Sequence, residues 1–167
     1  MTFRLYDASV PMFVRGLSAL VGLIDKAAAS GLAEDGLMQA RLAPDMLPFV
    51  SQVRIATDNA KGAAARLGGA EPLVLADDET TLAQLRERVL RTIAYVDSVG
   101  PDGFEGAETR PVQLKFPGLE LNFEGANYLT SFALPNFYFH LTTAYAILRH
   151  AGIELGKRDY MGQLALA

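Results

Sequence analysis

Hydrophobic residues recur at every third or fourth position near the start of the chain, as they do along one side of an α-helix. The stripe is formed by Val10, Phe13, Val14, Leu17, Leu20, Val21 and Ile24. We therefore predict a first helix from Ser9 to Ala29. Serine is a residue type that caps helix N-termini, and Gly31 follows the predicted end.

A second helix is predicted from Pro48 to Leu67, where alanines occupy much of the second half and Gly68 and Gly69 follow. Small side chains let a neighbouring helix approach closely, as in a tightly packed bundle. The glycines and prolines within residues 31–47 predict a connection between the first two helices.

A third helix is predicted to begin after a loop over residues 71–78. Thr81 and Gln84 have the spacing of a capping box, in which each side chain accepts a hydrogen bond from the other residue's backbone N–H. Gly100 and Pro101 end this helix. Its predicted inward residues are Leu82, Leu85, Val89, Ile93 and Val96, and its predicted outward residues are Arg86, Glu87, Arg88 and Arg91.

The period changes to two over residues 112–123, where apolar and polar residues alternate on both sides of Pro117 and Gly118. This alternation predicts a short β-hairpin with one apolar face, which we expect to cover the bundle. A longer or bulged loop is an alternative, because primed turns are more common in hairpins. The last helix is predicted from Pro135 to just before Gly152, and it is apolar around most of its circumference.

Composition narrows the class of protein. The chain has 167 residues, of which 50% are hydrophobic and 20% are charged, and this fits one folded domain over residues 1–167. It contains no cysteine, which excludes disulfides, thiolate metal sites and cysteine nucleophiles. A net charge of −4 provides no global basic field for nucleic acid.

Two stretches bear on membrane targeting. Arg4 and Asp7 interrupt the N-terminus where a signal peptide would begin its apolar run. Residues 125–148 carry no charge and are long enough to span a bilayer, but they include Asn127 and His140, which are costly in lipid. We expect a loop and a buried helix there, in a soluble cytoplasmic protein.

Four segments together carry a family resemblance. They are SVPMFVRGL in the first predicted helix, AKGAAARLGG at the end of the second, FEGANYL after the hairpin and LPNFYFHLTTAYAILRHAGIELGKRDYMG in the last helix and beyond. Over the whole chain the sequence resembles an uncharacterised family of the DinB/YfiT-like superfamily of metalloenzymes. The resemblance implies an all-α four-helix bundle, a cavity between the helices, and a homodimer, and the predicted β-hairpin lies between helices three and four.

In the better-known members of that superfamily, one histidine on helix two and a His-x-x-x-His pair on helix four hold a divalent metal. Alignment on the Leu-Arg near the end of helix four places His140 at the second paired position and Asn136 at the first. Counting back from the Arg-Leu near the end of helix two places Gln52 at the remaining position. The resemblance therefore gives Gln, Asn and His where the metal-binding pattern has three histidines.

This set is poor in metal donors, because imidazoles suit zinc, nickel or iron, whereas neutral amide oxygens bind such ions weakly. We therefore expect no metal cofactor; if a divalent metal does bind, His140 is its ligand. A carboxylate ligand for such a metal would have to come from Asp45 or Asp58. Asp58 follows Gln52 by six residues, however, and so lies about 240° around the helix from it.

Two classes of function remain open. In the first, the protein is a small-molecule-binding or interaction bundle with a degraded metal triad. Gln52, Asn136 and His140 then line a polar pocket for an unknown small molecule, and Tyr128 and Tyr138 present hydroxyls to it. The alternative is a divalent-metal-dependent enzyme of the transferase or hydrolase type that uses His140. A third interpretation of His140 is purely structural, as a core histidine with hydrogen-bonded nitrogens.

Other residues bear on partners. Gly16, Gly22 and the alanines of the first two helices would permit close packing of an apolar helix face in the homodimer. Arg149 and His150 are at the end of the last helix, where cations interact favourably with the C-terminus. Residues 156–160, Gly-Lys-Arg-Asp-Tyr, form the one short basic patch, which is either an anion contact or simply solvated.

Overall fold

The computed structural model describes residues 4–162. In chain order its elements are α1 (Val10–Ala29), α2 (Glu34–Gln39), α3 (Phe49–Gly68), α4 (Leu82–Ser98), a 3₁₀ turn (Pro101–Phe104), β1 (Pro111–Phe116), β2 (Leu119–Glu124), α5 (Gly125–Tyr128), a π-helical turn (Leu129–Ala133), α6 (Leu134–His150) and α7 (Lys157–Met161). The four long helices form a bundle in which α1 and α3 each pack against both α4 and α6. The predicted all-α four-helix bundle, with a hairpin between its third and fourth long helices, is confirmed.

The start of α1 differs from the prediction, because Ser9 does not cap it. The Ser9 hydroxyl donates instead to the Leu5 carbonyl at 2.8 Å and to the Tyr6 carbonyl at 3.2 Å. Residues 5–9 form turns that bring these carbonyls within reach of the hydroxyl. At the other end Gly31, with a φ of +75°, follows the helix as predicted.

The predicted connection over residues 31–47 contains the short helix α2. Glu34 ties α2 to the bundle, because its carboxylate accepts a hydrogen bond at 2.6 Å from the backbone N–H of Leu82 at the start of α4. A negative charge is favoured there by the helix dipole. Thr81 and Gln84 complete this helix start with the predicted capping box, which is confirmed.

Arg88 on α4 is buried, which corrects the prediction that it faces water. Its guanidinium donates to Asp58 of α3 at 2.7 Å, to Glu79 of the preceding loop at 2.8 Å and to the Thr57 hydroxyl at 2.7 Å. Burial alone would raise the pKa of Glu79, but hydrogen bonds from Arg88 and Arg54 outweigh it and hold that pKa below its ordinary value of 4.5. Periodicity does not reveal this network, because the partners belong to other elements.

The hairpin places Val112 opposite Phe123 near its base. Its loop is the two-residue turn Pro117-Gly118, without the extra length or bulge considered as an alternative. Gly118 has a φ of +75°, which suits glycine at this turn position. Val112 is buried, whereas Phe116 beside the turn is 47% exposed. The base of the hairpin therefore packs on the bundle and its tip projects into solvent.

Helical structure begins at Gly125, ten residues before the predicted start at Pro135. A proline inside an α-helix lacks the N–H for the backbone hydrogen bond, and its ring collides with the carbonyl four residues earlier. The π-helical turn lies directly before α6, where that conflict arises. Proline favours the first turn of a helix, which is why the sequence predicts a start at Pro135 although the helical path is continuous from Gly125 to His150. Gly152, with a φ of +96°, follows α6 as predicted.

The uncharged stretch of residues 125–148 contributes to the protein core. Its fully buried side chains on α6 are Phe137, Leu141, Ala144, Ile147 and Leu148. None of the helices in the described part of the chain combines the length and the apolar character that crossing a membrane requires.

Small residues bring the helices close together within one chain. A Cβ at Gly16 of α1 would lie 2.6 Å from Cε1 of the buried Phe137 on α6. The alanines of α3 named for close packing are buried in the same core. Gly22 differs, because a Cβ there would meet nothing within 4 Å. Of the two glycines considered for an intermolecular contact, only Gly22 therefore has open space beside it.

Two substitutions on α1 test this packing. Gly16→Ala should destabilise the protein by about 1–3 kcal/mol, since its methyl group collides with the Phe137 ring. Gly22→Ala is the matched control and should stabilise it by roughly 0.5–1 kcal/mol, through helix propensity alone. Urea denaturation of both variants measures the difference. Equal stability of the two variants would show that α1 and α6 are not in such close contact.

Candidate functional site

A side-chain pair between α3 and α6 forms the centre of the candidate site. Nδ1 of His140 lies 2.7 Å from Oε1 of Gln52. Gln52 is only 2% exposed, and its Nε2 donates to the Leu47 carbonyl at 2.9 Å. His140 itself is half-buried. The structure therefore brings together two of the three residues that the family resemblance places at the metal-ligand positions, one on each helix.

The orientation of Gln52 determines where His140 carries its proton. The Leu47 carbonyl can only accept, so it binds the amide nitrogen and leaves Oε1 facing the imidazole. An amide oxygen can only accept as well, and Nδ1 must therefore be the protonated nitrogen. In the neutral imidazole Nε2 is then the acceptor. Burial lowers the pKa of His140 below its ordinary value of 6.5, which favours the neutral form at neutral pH.

The surroundings of this pair combine one more polar group with exposed apolar residues. Asn136 lies one turn before His140 on the same face of α6 and is half-buried, but its side chain forms no hydrogen bond within residues 4–162. Phe139 is 57% exposed, and its ring meets the His140 ring edge-on at 5.2 Å. Leu47 is 50% exposed. The hydrogen-bond acceptor of His140 and the amide of Asn136 therefore occur beside exposed apolar residues at this surface.

Tyr138 does not share the surface of His140. Two residues before His140 on α6, it lies about 200° around the helix. Its hydroxyl accepts a hydrogen bond at 3.3 Å from Nη2 of Arg15 on α1. The sequence predicts that the Tyr138 hydroxyl faces the same pocket as His140, because buried phenols usually find a polar partner, but the direction of the side chain on the helix separates the two residues.

Tyr128 lies at a third location. It is 1% exposed, and its hydroxyl accepts a hydrogen bond at 3.5 Å from Arg66 at the end of α3. Its ring packs beside those of Phe123 and Phe132. Burial raises the pKa of Tyr128 above its ordinary value, so the phenol stays protonated at neutral pH.

The residues at the site do not fit a transition-metal ion. Oε1 of Gln52 is bound by Nδ1 of His140, so Nε2 of His140 is the one imidazole donor left, and Asn136 beside it offers only an amide. Asp58 is engaged by Arg88 at 2.7 Å, on the side of α3 that faces α4. Within residues 4–162, no group of three or more His, Cys, Asp or Glu side chains is placed to hold a metal.

Asn59 is a polar residue that sequence reasoning missed. It lies midway between Gln52 and Arg66, seven residues from each, so the three share one stripe of α3. Both flanking residues form hydrogen bonds to the helical segment that ends with α6. Gln52 bonds to His140, and Arg66 bonds to Tyr128. Oδ1 of Asn59 is buried and has no hydrogen-bond partner among the described residues. Such an oxygen marks a place for a water or a donor group, and the seven-residue spacing was the available signal.

Comparison with known proteins adds two matches. A family model described as "Domain of unknown function (DUF1993)" matches residues 5–161. The crystal structure of a DinB family member protein from Shewanella denitrificans has a TM-score of 0.87 and 39% sequence identity to this chain, over 98% of this chain and 94% of that one. No curated protein matches.

The pH dependence of stability tests the buried, neutral state of His140. Because its pKa is lowered on folding, the unfolded chain takes up a proton first as the pH falls. The contribution of His140 to the free energy of unfolding is therefore complete above about pH 6.5 and decreases below it. We expect His140→Gln to flatten this dependence, as measured by urea denaturation between about pH 7.5 and 5.5.

The chain offers a matched control for this experiment, since His150 is its only other histidine and is exposed. His150→Gln should leave the pH dependence of the wild type in place. If His140→Gln also kept the pH dependence of the wild type, the result would show that burial does not hold the imidazole of His140 neutral.

Proposed function

Because the chain belongs to the DUF1993 family, a DinB-like family of unknown function, we propose that it is a metal-independent bundle that binds a small molecule between α3 and α6. Gln52, Asn136 and His140 are the polar residues of this site. The observation that carries the proposal is the 2.7 Å hydrogen bond between Gln52 and His140. It engages Oε1 of Gln52 and leaves Nε2 of His140 as an acceptor, so the site offers one imidazole nitrogen where the metal-binding pattern has three.

The chemistry of the site favours a particular kind of ligand. A neutral imidazole accepts a hydrogen bond from an O–H or N–H group. The amide of Asn136 can both donate and accept. Phe139 and Leu47, both half or more exposed, offer apolar contact beside these groups. Binding sites commonly combine apolar walls with a few polar groups of this kind. We therefore propose a neutral ligand that has one hydrogen-bond donor and an apolar body.

The partners and the location belong to the same proposal. A homodimer in the cytoplasm agrees with the family resemblance. A nucleic-acid partner does not, because the net charge is −4. Dimerisation is compatible with ligand binding and does not decide the chemistry of the site.

Benzyl alcohol is a suitable first probe, because it joins one hydroxyl donor to an aromatic ring. Titration in the presence of EDTA, followed by two-dimensional amide NMR, should perturb residues of α3 and α6 around Gln52 and His140. Benzyl methyl ether, which lacks the O–H donor, should bind about tenfold more weakly. His140→Phe should reduce the preference for the alcohol, whereas His150→Phe should leave it unchanged.

Two outcomes would contradict the proposal. Equal binding of the alcohol and the ether would show that Nε2 of His140 does not recognise a donor. Elemental mass spectrometry of the untagged protein provides the second test. Near-stoichiometric metal that is lost in His140→Ala would support the divalent-metal-dependent enzyme, a transferase or hydrolase, in place of a metal-independent site.

A further inference from the structure

An open groove of about 1270 Å³ lies along α1, and its lining includes neither Gln52 nor His140. α1 contributes most of the lining, and the rest comes from Tyr6, the last turn of α4, α7 and Gly162. Val14 and Met161 are among its apolar residues. Gly22 also lines it, and the absence of a side chain there keeps the groove open.

The charges in the groove are unevenly paired. Its charged residues are Arg15, Lys26, Asp97, Arg158 and Asp159. Lys26 and Asp159 form a salt bridge at 2.8 Å. Within the described part of the chain, Arg15 and Arg158 have no carboxylate partner and Asp97 has no cationic partner. Two arginines thus face one acid, and the groove keeps a positive charge although the protein as a whole is negative.

Arg15 is held in position by uncharged oxygens. Its Nη1 donates to the Met161 carbonyl at 3.0 Å, and its Nη2 donates to the Tyr138 hydroxyl at 3.3 Å. The residue is half-buried, so its charge is partly removed from water without an anion to compensate it. Arg158 lies on α7, one turn before Met161, and is exposed. Both arginines line the groove, and the bond from Arg15 to Met161 joins Arg15 to the helix that carries Arg158.

We propose that this groove binds a small amphipathic anion, such as a medium-chain carboxylate. The carboxylate pairs with Arg15 and Arg158, because guanidinium groups form strong charge-assisted hydrogen bonds with carboxylates. The hydrocarbon chain lies along α1 over Val14 and Gly22. Tyr138 is a positioning residue here, since its hydroxyl orients Arg15. The proposal is independent of the Gln52–His140 site and involves none of its residues.

Octanoate and octylammonium are the probes, because they share an apolar chain and differ in the sign of their charge. Amide NMR titration of the full chain should show octanoate perturbing α1 and α7. Octylammonium should bind at least about tenfold more weakly. Arg158→Gln and Arg15→Gln should each weaken octanoate binding by about tenfold.

Two further variants make the test specific. Lys157→Gln removes the same charge from α7 at a residue that does not line the groove, and it should leave octanoate binding unchanged. Gly22→Leu places a side chain in the groove, where a Cβ would meet nothing within 4 Å, and should abolish the binding of both probes. Equal affinity for the two probes, or unchanged octanoate binding in Arg158→Gln, would overturn the proposal.

A second copy of the chain is the competing occupant of the groove. Analytical ultracentrifugation of the wild type and Gly22→Leu distinguishes it. A wild-type dimer that Gly22→Leu converts to a monomer, together with no octanoate binding, would assign the groove to self-association and reject the anion site.

Discussion

Close packing of α3 against the helical segment that ends with α6 is the constraint on which the candidate site depends. Alanines on α3 provide little side-chain bulk, so the helices approach closely along this contact. Polar groups enclosed there must then find partners on the opposite helix. Gln52 does so with His140, and the buried Tyr128 hydroxyl does so with Arg66. The positions of these side chains therefore follow from how the two helices pack.

This packing also explains why His140 is uncharged and fixed in one tautomer. The Leu47 carbonyl orients the amide of Gln52, and the amide in turn orients the imidazole. On the other side of α3, Arg88 ties the helix to α4 and to the loop through Asp58 and Glu79. The side chains of Arg88 and Glu79 are both buried, so removing either of them is costly, and Arg88 holds α3 through its bonds to Thr57 and Asp58. The site thus rests on a helix that is anchored on both sides.

Periodicity predicted the four long helices and the hairpin, because burial of one apolar face imposes that pattern directly. Periodicity did not predict where the last helical segment starts, because Pro135 lies within that segment. It also did not predict that Arg88 is buried, because the acidic partners of Arg88 lie on other elements. The pairing of Gln52 with His140 came from the family resemblance and not from periodicity. Asn59 was missed because its spacing of seven residues from Gln52 and Arg66 shows a shared helix face but not whether its oxygen is buried and unpaired.

The most direct test of the account is the tautomer of His140, measured by the ¹⁵N chemical shifts of its imidazole ring in the presence of EDTA at neutral pH. The account predicts a neutral ring with the proton on Nδ1 and none on Nε2, unchanged when EDTA is omitted. A proton on Nε2, or a ring whose shifts depend on a removable metal, would contradict a metal-independent site in which Gln52 directs the histidine.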